Sequence, residues 1–231
     1  MIIRLIFLIA FFVFFNSCGK DKGTYLPSKL NDPYELYKEG LDAFNENDFF
    51  FANKKFSEAE LNFDKPELAA KSAIMASYSL YGINFYDEAE DSLKRYLKTY
   101  PADRNIIYAN YLLSIIYYEQ ISDEKKDLEP LLKARNSIDL FLEKYPNSDY
   151  ATDLKFKRNL VENQLAAKEL FVARYYIDVK KWVPAIKRLK IITEKYNTTI
   201  FVEEALHRLV EIYFHLGLED EARSYAAILG Y

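Results

Sequence analysis

Cysteine is almost missing from this sequence: Cys18 stands alone among 231 residues. A single thiol makes no intramolecular disulfide and no multi-thiolate metal site, since both need at least two sulfurs in one chain. Glycine and proline are scarce too, with six and seven copies, which argues against a turn-rich sheet. There is no surplus of cations. Against 31 Lys and Arg stand 35 Asp and Glu, a formal net charge of −4, so the basic footprint that neutralises phosphates is lacking and nucleic acid is not an expected partner. No Gly-rich phosphate loop, HExxH or serine elbow is present, and neither an enzyme nor a cofactor is expected. Nor does any apolar run approach the roughly 20 residues that a membrane-spanning helix requires.

What the chain does have is apolar and aromatic. Half of its residues are hydrophobic, with 20 Tyr and 17 Phe, a composition suited to long helices packed through rings. The apolar run from Leu5 to Phe15 follows the lone charge of Arg4 and ends at Asn16, Ser17 and Cys18, the layout of a secretory signal. Residues 1–17 therefore read as a cleaved signal peptide outside the fold. The only thiol sits at the cleavage point between small Ser17 and Gly19, which resembles a bacterial lipobox, where the cysteine is acylated and becomes the new N-terminus. Phe15 and Asn16 depart from that pattern, which prefers Leu and a small residue there, and an ordinary signal with an incidental cysteine is the alternative. Each buried CH₂ of an acyl chain contributes about 0.8 kcal/mol, so a multiply acylated Cys18 would hold the protein on a membrane without a spanning helix. Residues 18–31, with Gly23, Pro27 and Ser28 and no helical or strand period, read as a tether.

From residue 32 to 231 the chain repeats. A small residue, then a bulky one, then Ala, a second bulky apolar residue and Pro recur in order. The first set is Gly40, Ala52, Phe56, Ala59 and a slightly late Pro66; the second is Ser77, Leu80, Ala89, Leu93 and Pro101. Ser114, Tyr117, Ala134, Ile138 and Pro146 follow, then Ala173, Tyr176, Ala185 and Leu189, and last Tyr213 and Ala222. This is the helix-pair signature of the tetratricopeptide repeat. It predicts an all-α superhelix of about five helix pairs, with units at about 33–66, 67–102, 103–147, 148–198 and 199–231. The small residues let paired helices approach, and one unit cannot bury its apolar face alone, so stacked units share a core and curve around a groove. The marker alanines Ala52, Ala89, Ala134, Ala185 and Ala222 lie 37, 45, 51 and 37 residues apart. The 45-residue interval places extra chain between Gln120 and Pro130, read as a surface loop. The 51-residue interval, free of Gly and Pro from Tyr150 to Val179, reads as one long or bent helix.

Within this array His207 and His215 are eight residues apart, too far along one helix to share a metal without another ligand, and no metal site is expected. Carboxylates are scattered through amphipathic helices and read as solvated faces. Two features suggest binding. Aromatic residues of the first two units, Tyr78, Tyr81 and Phe85 among them, exceed what helix pairing requires, and either line the groove or fill the core. Lys180, Lys181, Lys187, Arg188 and Lys190 form a basic cluster, either a contact for an acidic partner or a solvated face.

Three stretches carry a further resemblance: YPNSDYATD at Tyr145 to Asp153, LAAKELFVARYY at Leu165 to Tyr176 and KWVPAIKRL at Lys181 to Leu189. With the lipobox, they resemble the BamD family, lipoproteins of the outer-membrane β-barrel assembly machinery. The resemblance implies a non-enzymatic scaffold, lipid-anchored at the periplasmic face of the outer membrane. Gly19, where retained lipoproteins carry Asp, agrees with that address. It implies further that the C-terminal repeats dock on the POTRA region of the barrel protein BamA, and that the N-terminal repeats receive targeting segments of unfolded outer-membrane β-barrel proteins. The family's W-x-x-x-x-x-R stretch falls on Trp182 and Arg188, which with neighbouring Lys187 are the implied BamA contacts; Tyr78, Tyr81 and Phe85 are the candidates for the substrate groove. Pro184 departs from the family stretch, although a proline in the first helical turn is tolerated. The third-unit loop is shorter than the family's usual insertion, which leaves BamC- and BamE-type partners open. A different tetratricopeptide lipoprotein, serving pilus assembly or envelope coordination, is the alternative and would have no use for Arg188. An enzyme borne on the scaffold would need a catalytic domain, and nine residues follow Ala222.

Overall fold

The structure, a computed structural model, describes residues 32–121 and 128–230. The signal peptide and tether assigned to residues 1–31, with the lipidation candidate Cys18, lie outside the described residues, as do the middle of the third-unit loop and Tyr231. Among the described residues the chain is helical throughout. The elements are α1 (Pro33–Asn45), α2 (Phe49–Asn62), α3 (Pro66–Gly82), α4 (Tyr86–Thr99), α5 (Ile106–Glu119), α6 (Glu129–Lys144), α7 (Ala151–Asp178), α8 (Trp182–Lys195), α9 (Val202–His215) and α10 (Glu219–Leu229).

Local chemistry starts and stops these helices. Prolines open α1, α3 and α6, where a missing backbone donor costs nothing. Asp32 and Asp48 cap α1 and α2, their carboxylates accepting from the amides of Tyr34 at 3.0 Å and Phe51 at 3.1 Å. Among the described residues, four pairs close through the same turn. One residue takes the left-handed conformation, namely Asn47 (φ 62°), Asn84 (φ 60°), Lys180 (φ 55°) and Gly217 (φ 73°). The next amide then reaches back across the turn: Asp48 donates to Ala43 at 2.9 Å, Phe85 to Leu80 at 3.0 Å, Lys181 to Tyr176 at 2.8 Å and Leu218 to Tyr213 at 2.9 Å. These are Schellman closures, which satisfy carbonyls that a helix end would leave bare. Between units, Tyr100, Tyr145 and Tyr196 end α4, α6 and α8, and their carbonyls accept from the amides of Asp103, Ser148 and Thr199.

Each helix packs on its neighbours in the chain. Beyond that, α3 touches α5 and α5 touches α7, while the second helices of successive units make no comparable contact. The first helices are thus closer together and line the inner, concave side. The repeat markers form the core: Ala52, Phe56, Ala59, Ser77, Ala89, Leu93, Ser114, Ala134, Ile138, Ala173, Ala185 and Leu189 are all inaccessible to solvent. The fold is the all-α tetratricopeptide superhelix that the spacing predicts. The long fourth interval is one continuous helix of 28 residues, α7. The third is a connection between the ends of α5 at Glu119 and α6 at Glu129.

One expectation fails. Not all carboxylates belong to solvated faces, because Glu60, Glu90 and Glu162 are buried. Glu60 of α2 takes a bidentate pair of bonds from Arg95 at 2.6 and 2.8 Å and a third from the Tyr100 hydroxyl at 2.9 Å. Glu90 of α4 accepts from Lys94, from Lys133 on α6 at 3.1 Å and from the Tyr117 hydroxyl on α5 at 3.0 Å. A carboxylate buried at a helix seam is tolerable when both of its oxygens accept from donors, as in Glu60 and Glu90.

Candidate interaction faces

On the inner face of the first units the aromatic residues form a ladder. Phe44 at the end of α1 lies 5.7 Å from Tyr78 of α3, ring centre to ring centre, and Tyr78 lies 5.8 Å from Tyr81 and 6.4 Å from Tyr108 of α5. Tyr150, just before α7, continues it, 5.8 Å from Tyr108 and stacked on Tyr111 at 4.5 Å. All six rings are half-buried, so groove and core are not exclusive: one edge packs and the other faces the concavity. A cleft of about 400 Å³ opens beside Phe44, Lys71, Tyr78, Arg104 and Tyr108. Burial, then the bond to Asp153 at 3.0 Å, pushes the Tyr111 hydroxyl up to about 12. Burial and the neighbouring tyrosines push Tyr108 up as well. Both hydroxyls therefore stay protonated at neutral pH, the Tyr111 proton being donated to Asp153.

Of the three groove candidates, Tyr78 and Tyr81 stand in the ladder. Phe85 does not; it is the N-cap of α4, 45% exposed, in a cleft at the turn with Glu119 and Gln120. Tyr108, Tyr111 and Tyr150 escaped the sequence reading. The Tyr108–Tyr111 spacing of three on one helix was a visible signal, whereas the approach of Tyr150 depends on a loop 42 residues away from Tyr108.

At the other end, α8 presents Trp182, Lys187 and Arg188. Trp182 is half-buried, its ring 5.0 Å from that of His215 on α9, and packs on the core shared by α5 to α10. Lys187 is exposed. The Arg188 guanidinium is held by Glu169 of α7 at 3.0 and 3.3 Å while its side chain stays 41% exposed. Glu169 was not singled out from sequence, because its pairing with Arg188 spans two helices. The five-cation cluster divides: Lys190 lies 6.0 Å from the Tyr225 ring on α10, and Lys180 sits in the left-handed turn. His207 reaches Glu211 at 3.4 Å, and His215 serves Trp182. Among the described residues no helix is long and apolar enough to cross a membrane.

The family model described as outer membrane lipoprotein, YfiO, matches residues 30–228. The outer membrane protein assembly factor BamD of Rickettsia prowazekii is 36% identical over 196 residues, 85% of this chain and 78% of that protein. That of Caulobacter vibrioides is 36% identical over 213 residues, 92% of this chain and 70% of its own length. The Xylella fastidiosa protein of the same name, from strain Temecula1, is 28% identical over 230 residues, covering 94% and 78%. With an all-helical repeat array under a match that runs almost from end to end, this chain belongs to the BamD (YfiO) family of outer membrane lipoproteins.

Proposed function

We propose that this protein is a scaffold for outer-membrane protein assembly, lipid-anchored through Cys18 at the periplasmic face of the outer membrane. It makes and breaks no bonds. The α8 face around Arg188, Lys187 and Trp182 docks on the POTRA region of a BamA-type barrel protein, and the ringed inner face around Tyr78 and Tyr81 receives segments of unfolded β-barrel substrates. Holding both on one array raises the local concentration of substrate beside the inserting partner. Arg188 suits a contact with a carboxylate, because its exposed fork accepts a second acidic partner beside Glu169 in a geometry that Lys does not reproduce.

The observation that carries the reading is the spacing of the ladder. Its rungs are 5.7 to 6.4 Å apart between Phe44, Tyr78 and Tyr108, close to the roughly 6.6 Å that separates alternate side chains on one face of an extended strand. A strand laid along the inner face thus meets one ring per outward side chain. The test is a pull-down of the full chain from detergent-solubilised outer membranes, with retained proteins identified by mass spectrometry. Arg188→Glu should lose a POTRA-containing barrel protein by about tenfold or more and keep unfolded barrel substrates. Tyr78→Ala combined with Tyr108→Ala should do the reverse. Retention of the barrel protein by Arg188→Glu would move the interface elsewhere; if no such partner appears with the wild type, the scaffold reading fails.

A further inference from the structure

Where the inner face passes from α7 to α9, a second cleft of about 450 Å³ opens between Phe171 and Phe201. Its apolar wall is presented to water, since Phe171 is 75% exposed while Leu170 behind it is buried. Two polar atoms at this wall have the opposite fault. Lys168 Nζ and Gln164 Oε1 are shut off from solvent and have no hydrogen-bond partner. Both residues line the cleft, one turn apart on the same side of α7. The other cation there, Arg174, is already engaged, its guanidinium bound to both carboxylate oxygens of Glu204 at 2.8 and 2.6 Å. Folding therefore leaves an ammonium without an acceptor and a carbonyl without a donor, each of which lowers stability. Native structures keep few such groups, and a ligand that satisfies them is one physical reason to keep them.

We infer that this cleft docks an extended polypeptide segment of a partner, through an acidic side chain that neighbours an apolar one. The ammonium offers only donors and carries a full positive charge, so its strongest mate is an anionic acceptor. The Gln164 oxygen calls for an N–H. The exposed Phe171 and the Phe201 beside it call for apolar surface. A free inorganic anion meets the first demand alone. An acidic residue followed by an apolar one meets all three: carboxylate to Lys168 Nζ, backbone N–H to Gln164 Oε1, apolar side chain against Phe171. The inference goes beyond the assembly reading and does not rest on it.

The test uses the full chain in detergent micelles and fluorescence anisotropy with three N-terminally labelled peptides. One is Ala-Asp-Phe-Ala with an amidated end, the second its Ala-Asn-Phe-Ala counterpart, the third Ala-Ala-Phe-Ala with a free terminal carboxylate. The Asp peptide should bind about tenfold more tightly than either of the others, the scale of one charge-assisted hydrogen bond. In Lys168→Met that preference should vanish while the melting temperature holds or rises, because an unpaired buried ammonium is removed and its apolar stem is kept. Phe171→Ala truncates an exposed ring, should leave the melting temperature unchanged and should weaken the Asp and Asn peptides alike. Equal binding of the Asp and Asn peptides overturns the inference. So does a preference for the terminal carboxylate, or a Lys168→Met variant that melts lower and keeps the Asp preference.

Discussion

An added Cβ at Gly40 would lie 2.7 Å from the Phe56 ring, closer than real contacts allow, and the ring is buried with no room to swing away. Gly40→Ala should therefore destabilise the protein by about 1–3 kcal/mol through overpacking, outweighing the roughly 1 kcal/mol that alanine contributes in a helix. Chemical denaturation followed by circular dichroism measures it, and a neutral outcome would mean that Phe56 yields. The other small markers solve the same crossing differently: the Ser77 and Ser92 hydroxyls bond at 2.8 Å, as do Ser114 and Ser137 at 2.9 Å. Periodicity marks all of these positions as small. It does not say which need a hydroxyl, because the partner lies on the facing helix. Lys180 teaches the converse. Asn47, Asn84 and Gly217 are residues that tolerate the left-handed turn, whereas Lys180 read as one charge among five and its backbone role had no residue-type signal.

Helix spacing was legible because core positions recur at helical period, and even the 28-residue α7 showed itself by the lack of Gly and Pro. Buried carboxylates were not legible, since a Glu on a sequence row looks the same whether water or lysine surrounds it. Glu90 ties α4 to α5 and α6. Burial works to raise its carboxyl, but hydrogen bonds from Lys94, Lys133 and Tyr117 overcome that and hold it below the ordinary carboxylate range. A carboxyl depressed in the folded state contributes stability above its unfolded value near 4.3 and loses it as pH falls through the folded value. Glu90→Gln should cost about 1–3 kcal/mol at neutral pH. The gap in melting temperature between variant and wild type should then narrow as pH drops below about 4. A gap constant from neutral to acid would remove the charge from the account and leave only packing.

At the scale of the molecule, helices meet sequence neighbours and little else, so stability should follow a nearest-neighbour sum instead of one global core. Phe56→Ala, a loss of about 3–5 kcal/mol locally, should speed amide exchange in α1 and α2 and leave α9 and α10 protected; hydrogen exchange with mass spectrometry resolves the two ends. Equal loss of protection at both ends would make the array one cooperative unit. The repeat count was legible from its markers, while the inner face was only half legible, because rungs such as Tyr108 and Tyr150 meet through folding across units. Four pairs are closed by a left-handed residue and a back-reaching amide, so at each of these turns loop length and helix register are fixed together. A residue inserted at any of these four turns breaks the clasp or rotates the helix that follows, so an experimenter who grafts a reporter and wants the superhelix to keep its pitch should leave them intact.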